Sequence, residues 1–166
     1  MTNPKDETKA RITIERSFST TAERMWDLWT TKAGIESWWG PEGFRVDVRT
    51  LELRPGGKLH YAMTAEAPAT VEFMKRSGMP LTNEAHATFG AVERPRRFTY
   101  DSLVDFVPGH APYTIANEIT LVPNGPDVKV IITVDRLHDA EWTERLVAGR
   151  KSQLDKLAQV LQGPRA

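Results

Sequence analysis

An apolar stripe at helical spacing runs through the last part of the sequence. Its members are Trp142, Leu146, Leu154, Leu157 and Leu161. Asp139 can accept hydrogen bonds from the first turn of such a helix, and Gly163-Pro164 predicts its end. A long helix that is apolar on one side must bury that side against another layer of structure. The rest of the chain therefore has to supply a matching apolar face.

Much of the remaining chain alternates apolar and polar residues with the period of a β-strand. Ile12 and Ile14 alternate with Thr13 and Glu15 and predict the first strand. Further strands are predicted at residues 44–53, 58–64, 85–92, 98–106, 114–122 and 128–135. The segments that separate most of them are rich in proline and glycine, as turns are. The sequence thus predicts an α+β fold, in which an antiparallel sheet of seven strands lies against the C-terminal helix.

Two short helices are predicted between the first and second strands. Thr20 and Glu23 fit a capping box, which places the start of a helix at residues 22–30. A second helix at residues 32–38 has to end at Trp39-Gly40-Pro41, because proline and glycine interrupt helical hydrogen bonding.

Two irregularities are predicted within the series of strands. The alternation of the second strand changes parity near Thr50, which indicates a β-bulge or a bend. Residues 66–83 contain Pro68, Pro80 and a stretch of helical composition at 70–77. We expect this segment to be an inserted loop or short helix.

Composition excludes several classes of function. Lys and Arg number 22 and Asp and Glu number 22, so no overall charge attracts the chain to nucleic acid. There is no cysteine, which excludes disulfides and thiolate chemistry. No apolar run approaches the roughly 20 residues that a membrane-spanning helix needs. We expect a cytoplasmic protein with one domain at residues 10–162, a disordered N terminus at 1–9, and neither a nucleic-acid partner nor a membrane span.

The common motifs of metal binding and nucleophilic catalysis are missing from the sequence. The histidines are His60, His86, His110 and His138, and their spacing fits no metal-binding motif. There is no phosphate-binding loop, no dinucleotide-binding glycine motif and no nucleophile elbow. The sequence therefore predicts no metal, no cofactor and no catalytic residue.

Short motifs and the order of elements carry a resemblance to a known family. The motifs are Trp38-Trp39-Gly40-Pro41 with Gly43-Phe44, Pro55-Gly56-Gly57, and Pro95-Arg96-Arg97-Phe98. Together with the closing helix, they resemble the family named for the C-terminal domain of the activator of the heat-shock protein 90 ATPase, within the START-like (helix-grip, Bet v 1-like) superfamily. The resemblance implies a curved seven-stranded antiparallel sheet wrapped around a long C-terminal helix, with a cavity between them. The chain departs from the family pattern at Gly149-Arg150, where many members carry glycine followed by tryptophan.

The ligand-binding residues that we predict are aromatic and polar side chains of the strands and of the closing helix. They are Trp39, Tyr61, His86, Thr88, Tyr100, Tyr113, Asn117, Trp142 and Arg150. Only one parity of each strand can face a cavity, so His60 is the alternative to Tyr61. Arg150 would be costly on the core-facing side of a helix unless it is paired. It is expected either to meet an acidic group of a ligand or to extend its charged end to the surface.

Three functions follow from the resemblance and from the shortage of catalytic motifs. The leading hypothesis is a carrier or sensor that binds an apolar or amphipathic small molecule. The second is an enzyme of the cyclase, dehydratase or hydrolase type, in which His86 or Tyr100 assists as acid or base. The third is a chaperone-interaction module, which is less expected because this chain has one domain and the named activator resembles a two-domain protein. A homodimer is compatible with the sequence.

Overall fold

Within the described residues, seven antiparallel strands form one sheet that four helices accompany. The computed structural model describes residues 11–40, 43–105, 107 and 109–162. The strands are β1 (Ile12–Phe18), β2 (Phe44–Leu51), β3 (Lys58–Ala65), β4 (Thr82–Glu93), β5 (Arg97–Val104), β6 (Tyr113–Asn124) and β7 (Asp127–Val134). The helices are α1 (Ala22–Thr30), α2 (Lys32–Trp38), α3 (Pro68–Arg76) and α4 (Ala140–Leu161). The predictions for residues 1–9 and for Gly163-Pro164 fall outside the described residues.

The order of strands across the sheet is β1-β7-β6-β5-β4-β3-β2. Every neighbouring pair is antiparallel, and the strands from β2 to β7 are adjacent in the order in which the chain makes them. The chain leaves β1 at one edge and returns at the other edge as β2, after passing through α1 and α2. Helix α4 then contacts both α2 and β1. The predicted α+β helix-grip fold is confirmed.

Side-chain caps fix the starts of three helices. Asp139 accepts a hydrogen bond from the backbone N–H of Trp142 at 2.8 Å, so its predicted capping of α4 is confirmed. The cap of α1 is Thr21 and not Thr20 as predicted, because the Met25 N–H already bonds to the Thr21 carbonyl. Thr31 caps α2 in the same way. No helix in the described part of the chain is long and apolar enough to span a membrane.

Helix α3 lies within the segment 66–83. It begins at Pro68, whose missing N–H and fixed φ suit the first position of a helix. The segment is joined to the start of β2, because Glu66 and Ala67 both donate to the carbonyl of Gly43. Gly43 has φ of 89°, and a Cβ on it would collide with Thr70.

Two β-bulges bend the sheet. Val48 pairs with Tyr61 and Thr50 pairs with His60, so β2 has one more residue than β3 over this step. The predicted irregularity near Thr50 is confirmed. A second one lies in β4 between Phe89 and Val92. Such bulges increase the local twist and bend of a strand.

Aromatic side chains dominate the main core. Trp29 lies at the centre, with ring centroids 4.6 Å from Trp38 and 5.3 Å from Trp39. Trp26 packs edge-on against Phe98 of β5 at 5.6 Å. This cluster fills the space between α1, α2 and the inner face of the sheet, and Leu154 and Leu157 of α4 belong to it too.

Leu157→Ala tests the contribution of α4 to the fold. Leu157 is fully buried, so its truncation should lower the free energy of unfolding by about 2–5 kcal/mol. Gln159→Ala is the matched control on an exposed position of the same helix, and should change it by less than about 0.5 kcal/mol. Urea unfolding followed by tryptophan fluorescence measures both. Equal effects of the two variants would mean that α4 is not packed as described.

Candidate functional site

A polar layer lies between α4 and the middle of the sheet. Tyr100 of β5 and Asn117 of β6 are cross-strand partners, and both side chains are buried. Arg150 of α4 donates from Nη1 to the Tyr100 hydroxyl at 3.1 Å and from Nη2 to Asn117 Oδ1 at 2.6 Å. We call Arg150, Tyr100 and Asn117 the polar layer. It brings together three of the predicted site residues.

Asn117 is held in one orientation by its own hydrogen bonds. Its Nδ2 donates to the carbonyls of Tyr100 and Ile115, both at 3.2 Å, and to Ser102 Oγ at 3.0 Å. The amide nitrogen is thus fully engaged on the sheet side, which leaves Oδ1 directed at Arg150. The acceptor for the guanidinium is therefore fixed by the strands.

Trp39 and Tyr61 form an aromatic wall next to the polar layer. The Trp39 ring centroid lies 6.1 Å from that of Tyr61 and 6.2 Å from that of Tyr100. Part of the Tyr61 residue is accessible, yet its phenol group is buried. This burial raises the pKa of Tyr61 above the ordinary value of 10.0, while a hydrogen bond with Trp39 and the charge of Arg150 act in the opposite direction.

Helix α4 also holds the turn that follows α2. Gln153 donates from Nε2 to the carbonyl of Trp39, and Lys156 donates from Nζ to the carbonyl of Gly40 at 2.8 Å. These bonds position the Trp39 ring against Tyr61 and Tyr100. Gln153, Lys156 and Ser102 are not among the site residues predicted from the sequence. No local spacing marks Gln153 and Lys156 for these bonds, because their acceptors are backbone carbonyls of a turn that is distant in sequence.

His86 and Thr88 lie on the opposite face of the sheet from the polar layer. Their neighbours in the strand, Ala87 and Phe89, are buried on the inner face. His86 instead stacks on His60 at 4.2 Å, and Thr88 accepts a hydrogen bond from Lys58 at 3.1 Å. The structure does not bring these two predicted residues to the inner face, because the alternation of β4 turns them outward.

Tyr113 and Trp142 belong to a separate aromatic group at the N-terminal end of α4. The Tyr113 hydroxyl lies 2.7 Å from His138 Nδ1, and the His138 ring lies 4.2 Å from His110 and 6.2 Å from Trp142. Trp142 and Arg150 are eight residues apart, which is about 12 Å along a helix axis. Tyr113 and Trp142 therefore lie near the N-terminal end of α4, and the polar layer lies further along the helix towards its C-terminal end.

The apolar packing under α4 is divided into two clusters. The main cluster contains Leu154 and Leu157 of α4. The second cluster consists of Val104, Ile115 and Val134, with partly buried Ile12, Val107, Tyr113, Leu137 and Leu146 packed against it. Along α4, Arg150 lies between Leu146 of the second cluster and Leu154 of the main cluster. The polar layer thus lies between the two clusters under α4, while Ile12 of β1 packs against both of them.

An open groove lies beside the second cluster, between α4 and β1. Its volume is about 480 Å³. It is lined by Ile12, Arg136, Thr143, Glu144, Val147, Ala148 and Lys151. Ile12 also packs against the second cluster, so the groove and that cluster adjoin. In the described part of the chain, no three His, Cys, Asp or Glu side chains are grouped closely enough to hold a metal ion.

A curved antiparallel sheet that wraps around a C-terminal helix is the helix-grip fold. The chain belongs to the family described as Activator of Hsp90 ATPase homolog 1-like protein, whose model matches residues 19–162. This confirms the resemblance seen in the sequence.

Solved structures share the fold over almost the whole chain. A protein from Chromobacterium violaceum is 20% identical, with a TM-score of 0.74 over 93% of this chain and 99% of its own. The AHSA1 protein from Silicibacter pomeroyi is 22% identical, with a TM-score of 0.68 over 92% of this chain and 98% of its own. Comparison with curated protein sequences gives no match. At these identities the likeness concerns the fold.

The raised pKa of Tyr61 has a consequence for stability at high pH. The folded state holds the phenol proton of Tyr61 more tightly than the unfolded state does. The contribution of this proton to folding stability is complete below about pH 10 and is lost as the pH rises through the folded pKa. Urea unfolding near pH 8 and near pH 11 measures the change. Wild type should lose more stability between these two values than Tyr61→Phe, which has no phenol to titrate. An equal loss in both proteins would show that the Tyr61 pKa is not raised by folding.

Proposed function

We propose that this protein binds an apolar or amphipathic small molecule between the sheet and α4, as a carrier or sensor. The observation that carries the proposal is the division of the apolar packing under α4 into two clusters by the polar layer. Ligand sites are typically apolar surfaces with a few fixed polar groups, and the polar layer next to the second cluster has this composition.

The open groove supports the same proposal. Its volume falls within the range of roughly 300–1,000 Å³ that is usual for small-molecule sites. Apolar side chains of Ile12 and Val147 line it, and Ile12 continues into the second cluster. A ligand whose apolar part lies in the groove would contact Ile12 at the edge of the second cluster.

Binding without catalysis has more support than an enzyme or a chaperone-interaction module. Of the two acid/base candidates, His86 lies on the opposite face of the sheet from the polar layer, and the Tyr100 hydroxyl accepts a hydrogen bond from Arg150. Among the described residues, the large apolar side chains exposed to solvent are Phe73, Met79 and Val122, which gives a chaperone little to contact. The cytoplasmic location and the homodimer stay predictions from the sequence.

Titration with N-phenyl-1-naphthylamine tests the proposed function. This neutral dye becomes fluorescent in apolar sites, and we expect saturable binding with one dye per chain. Dodecanol, a neutral chain molecule, should displace it. Leu146→Trp adds bulk beside the second cluster and should weaken dye binding about fivefold or more, which corresponds to about 1 kcal/mol.

Val122→Trp is the matched control, since Val122 is 40% exposed on the outer side of β6. It should bind the dye as wild type does. Thermal unfolding by circular dichroism establishes that both variants are folded. Binding that does not saturate, or that weakens equally in the two variants, would contradict the proposed site.

A further inference from the structure

Arg150 is a charged residue on the core-facing side of α4. Leu146 and Leu154, four residues before and after it, both pack into apolar clusters, so its side chain shares their direction. The residue is half-buried, and its guanidinium reaches the sheet rather than the surface. A guanidinium in such a position needs partners that compensate for its lost hydration.

The partners of Arg150 are all neutral. Among the described residues, its hydrogen bonds are those to the Tyr100 hydroxyl and to Asn117 Oδ1, and no carboxylate forms an ion pair with it. Arginines elsewhere in the chain do have carboxylate partners, as Arg16 has Asp155 on the more exposed surface. A guanidinium has five N–H donors, so Arg150 keeps donors and an unneutralised charge between the two apolar clusters.

The surroundings hold the guanidinium in a fixed position. Asn117 cannot turn away, because the two N–H groups of its amide are shared among three acceptors on the sheet. Tyr100 is buried within β5 and stacks on Phe98 at 5.9 Å. A planar donor that is oriented in advance suits bidentate binding of a carboxylate.

We propose that the ligand of this site is an amphipathic carboxylic acid, whose carboxylate binds Arg150 while its apolar part lies against the second cluster. This inference rests on the proposed function and names the chemical class of its ligand. The other role of Arg150, as a link between α4 and the sheet, requires no ligand. A measurement that depends on the ligand's head group separates the two roles.

The experiment compares dodecanoate with dodecanol, which have the same chain length and different head groups. Each displaces N-phenyl-1-naphthylamine from the protein near pH 7.5, below the concentration at which dodecanoate forms micelles. We expect wild type to bind dodecanoate about tenfold or more tightly than dodecanol, since a hydrogen bond to a charged group contributes this much. Arg150→Met should lose this preference and still bind dodecanol.

Arg45→Met is the matched control. Arg45 lies exposed on β2 in an ion pair with Asp47, so the variant removes the same charge away from the site. Its preference for dodecanoate should equal that of wild type. If Arg150→Met does not fold, Arg150→Gln replaces it, because its neutral amide keeps hydrogen-bonding capacity at this half-buried position while removing the charge, and it should abolish the preference in the same way.

The possible results separate the two proposals. Equal affinity of wild type for dodecanoate and dodecanol, or a preference that survives in Arg150→Met or Arg150→Gln, would overturn the carboxylate proposal and leave the binding function standing. A loss of preference in Arg45→Met equal to that in Arg150→Met would also overturn it, by showing an effect of net charge alone. Failure of the dye and of both chain molecules to bind wild type would overturn the two proposals together.

Discussion

The packing of α4 against the inner face of the sheet determines how the other elements are arranged. Leu154 and Leu157 supply the apolar part of this contact, and they join the tryptophan cluster of α1 and α2. Gln153 and Lys156 supply a polar part by bonding to the backbone of the turn after α2. Each type of contact alone would leave freedom of movement, because apolar packing is non-directional and two hydrogen bonds contribute little net stability. Together they fix the helix over the strands that carry Tyr100 and Asn117.

The fold could be predicted from the sequence because independent local signals agree. Period-two alternation, turn residues between most strands and one long amphipathic stripe all favour a sheet covered by a helix, and agreement of this kind is typical of sequences that fold to one structure. Even the bulge near Thr50 was visible, since an extra residue in a strand reverses the parity of the apolar positions after it. The cap of α1 was misplaced by one residue because Thr20 and Thr21 are chemically equivalent, and only the backbone hydrogen bond to Thr21 distinguishes them.

The candidate site could be predicted only in part, because its members come from elements far apart in sequence. Arg150 stood out as a charge within an apolar stripe, and Tyr100 and Asn117 are on strands whose alternation is clear. In contrast, β3 places two aromatic rings, His60 and Tyr61, at successive positions, so either one could face inward. The side chains of β4 follow the register that β3 imposes on them, and register is a property of the paired strands rather than of one strand. The contacts of Gln153 and Lys156 with the backbone of the turn after α2 depend on the docked position of α4 and have no local signature.

The polar layer costs free energy, because it takes a guanidinium partly out of water. A purely structural role for Arg150 explains this cost poorly. A leucine at position 150 would join the two apolar clusters into one core, and replacement of buried charged groups by apolar residues is often neutral or stabilising. The chain instead holds a guanidinium there with neutral acceptors, and the two N–H groups of the Asn117 amide, shared among three acceptors on the sheet, keep Asn117 in place. This arrangement keeps the arginine ordered while leaving its charge unneutralised by the residues around it. An ordered cation beside an apolar cluster is what an anionic head group with an apolar tail requires, and this is the reason to look for the function of the protein under α4 rather than on its outer surface.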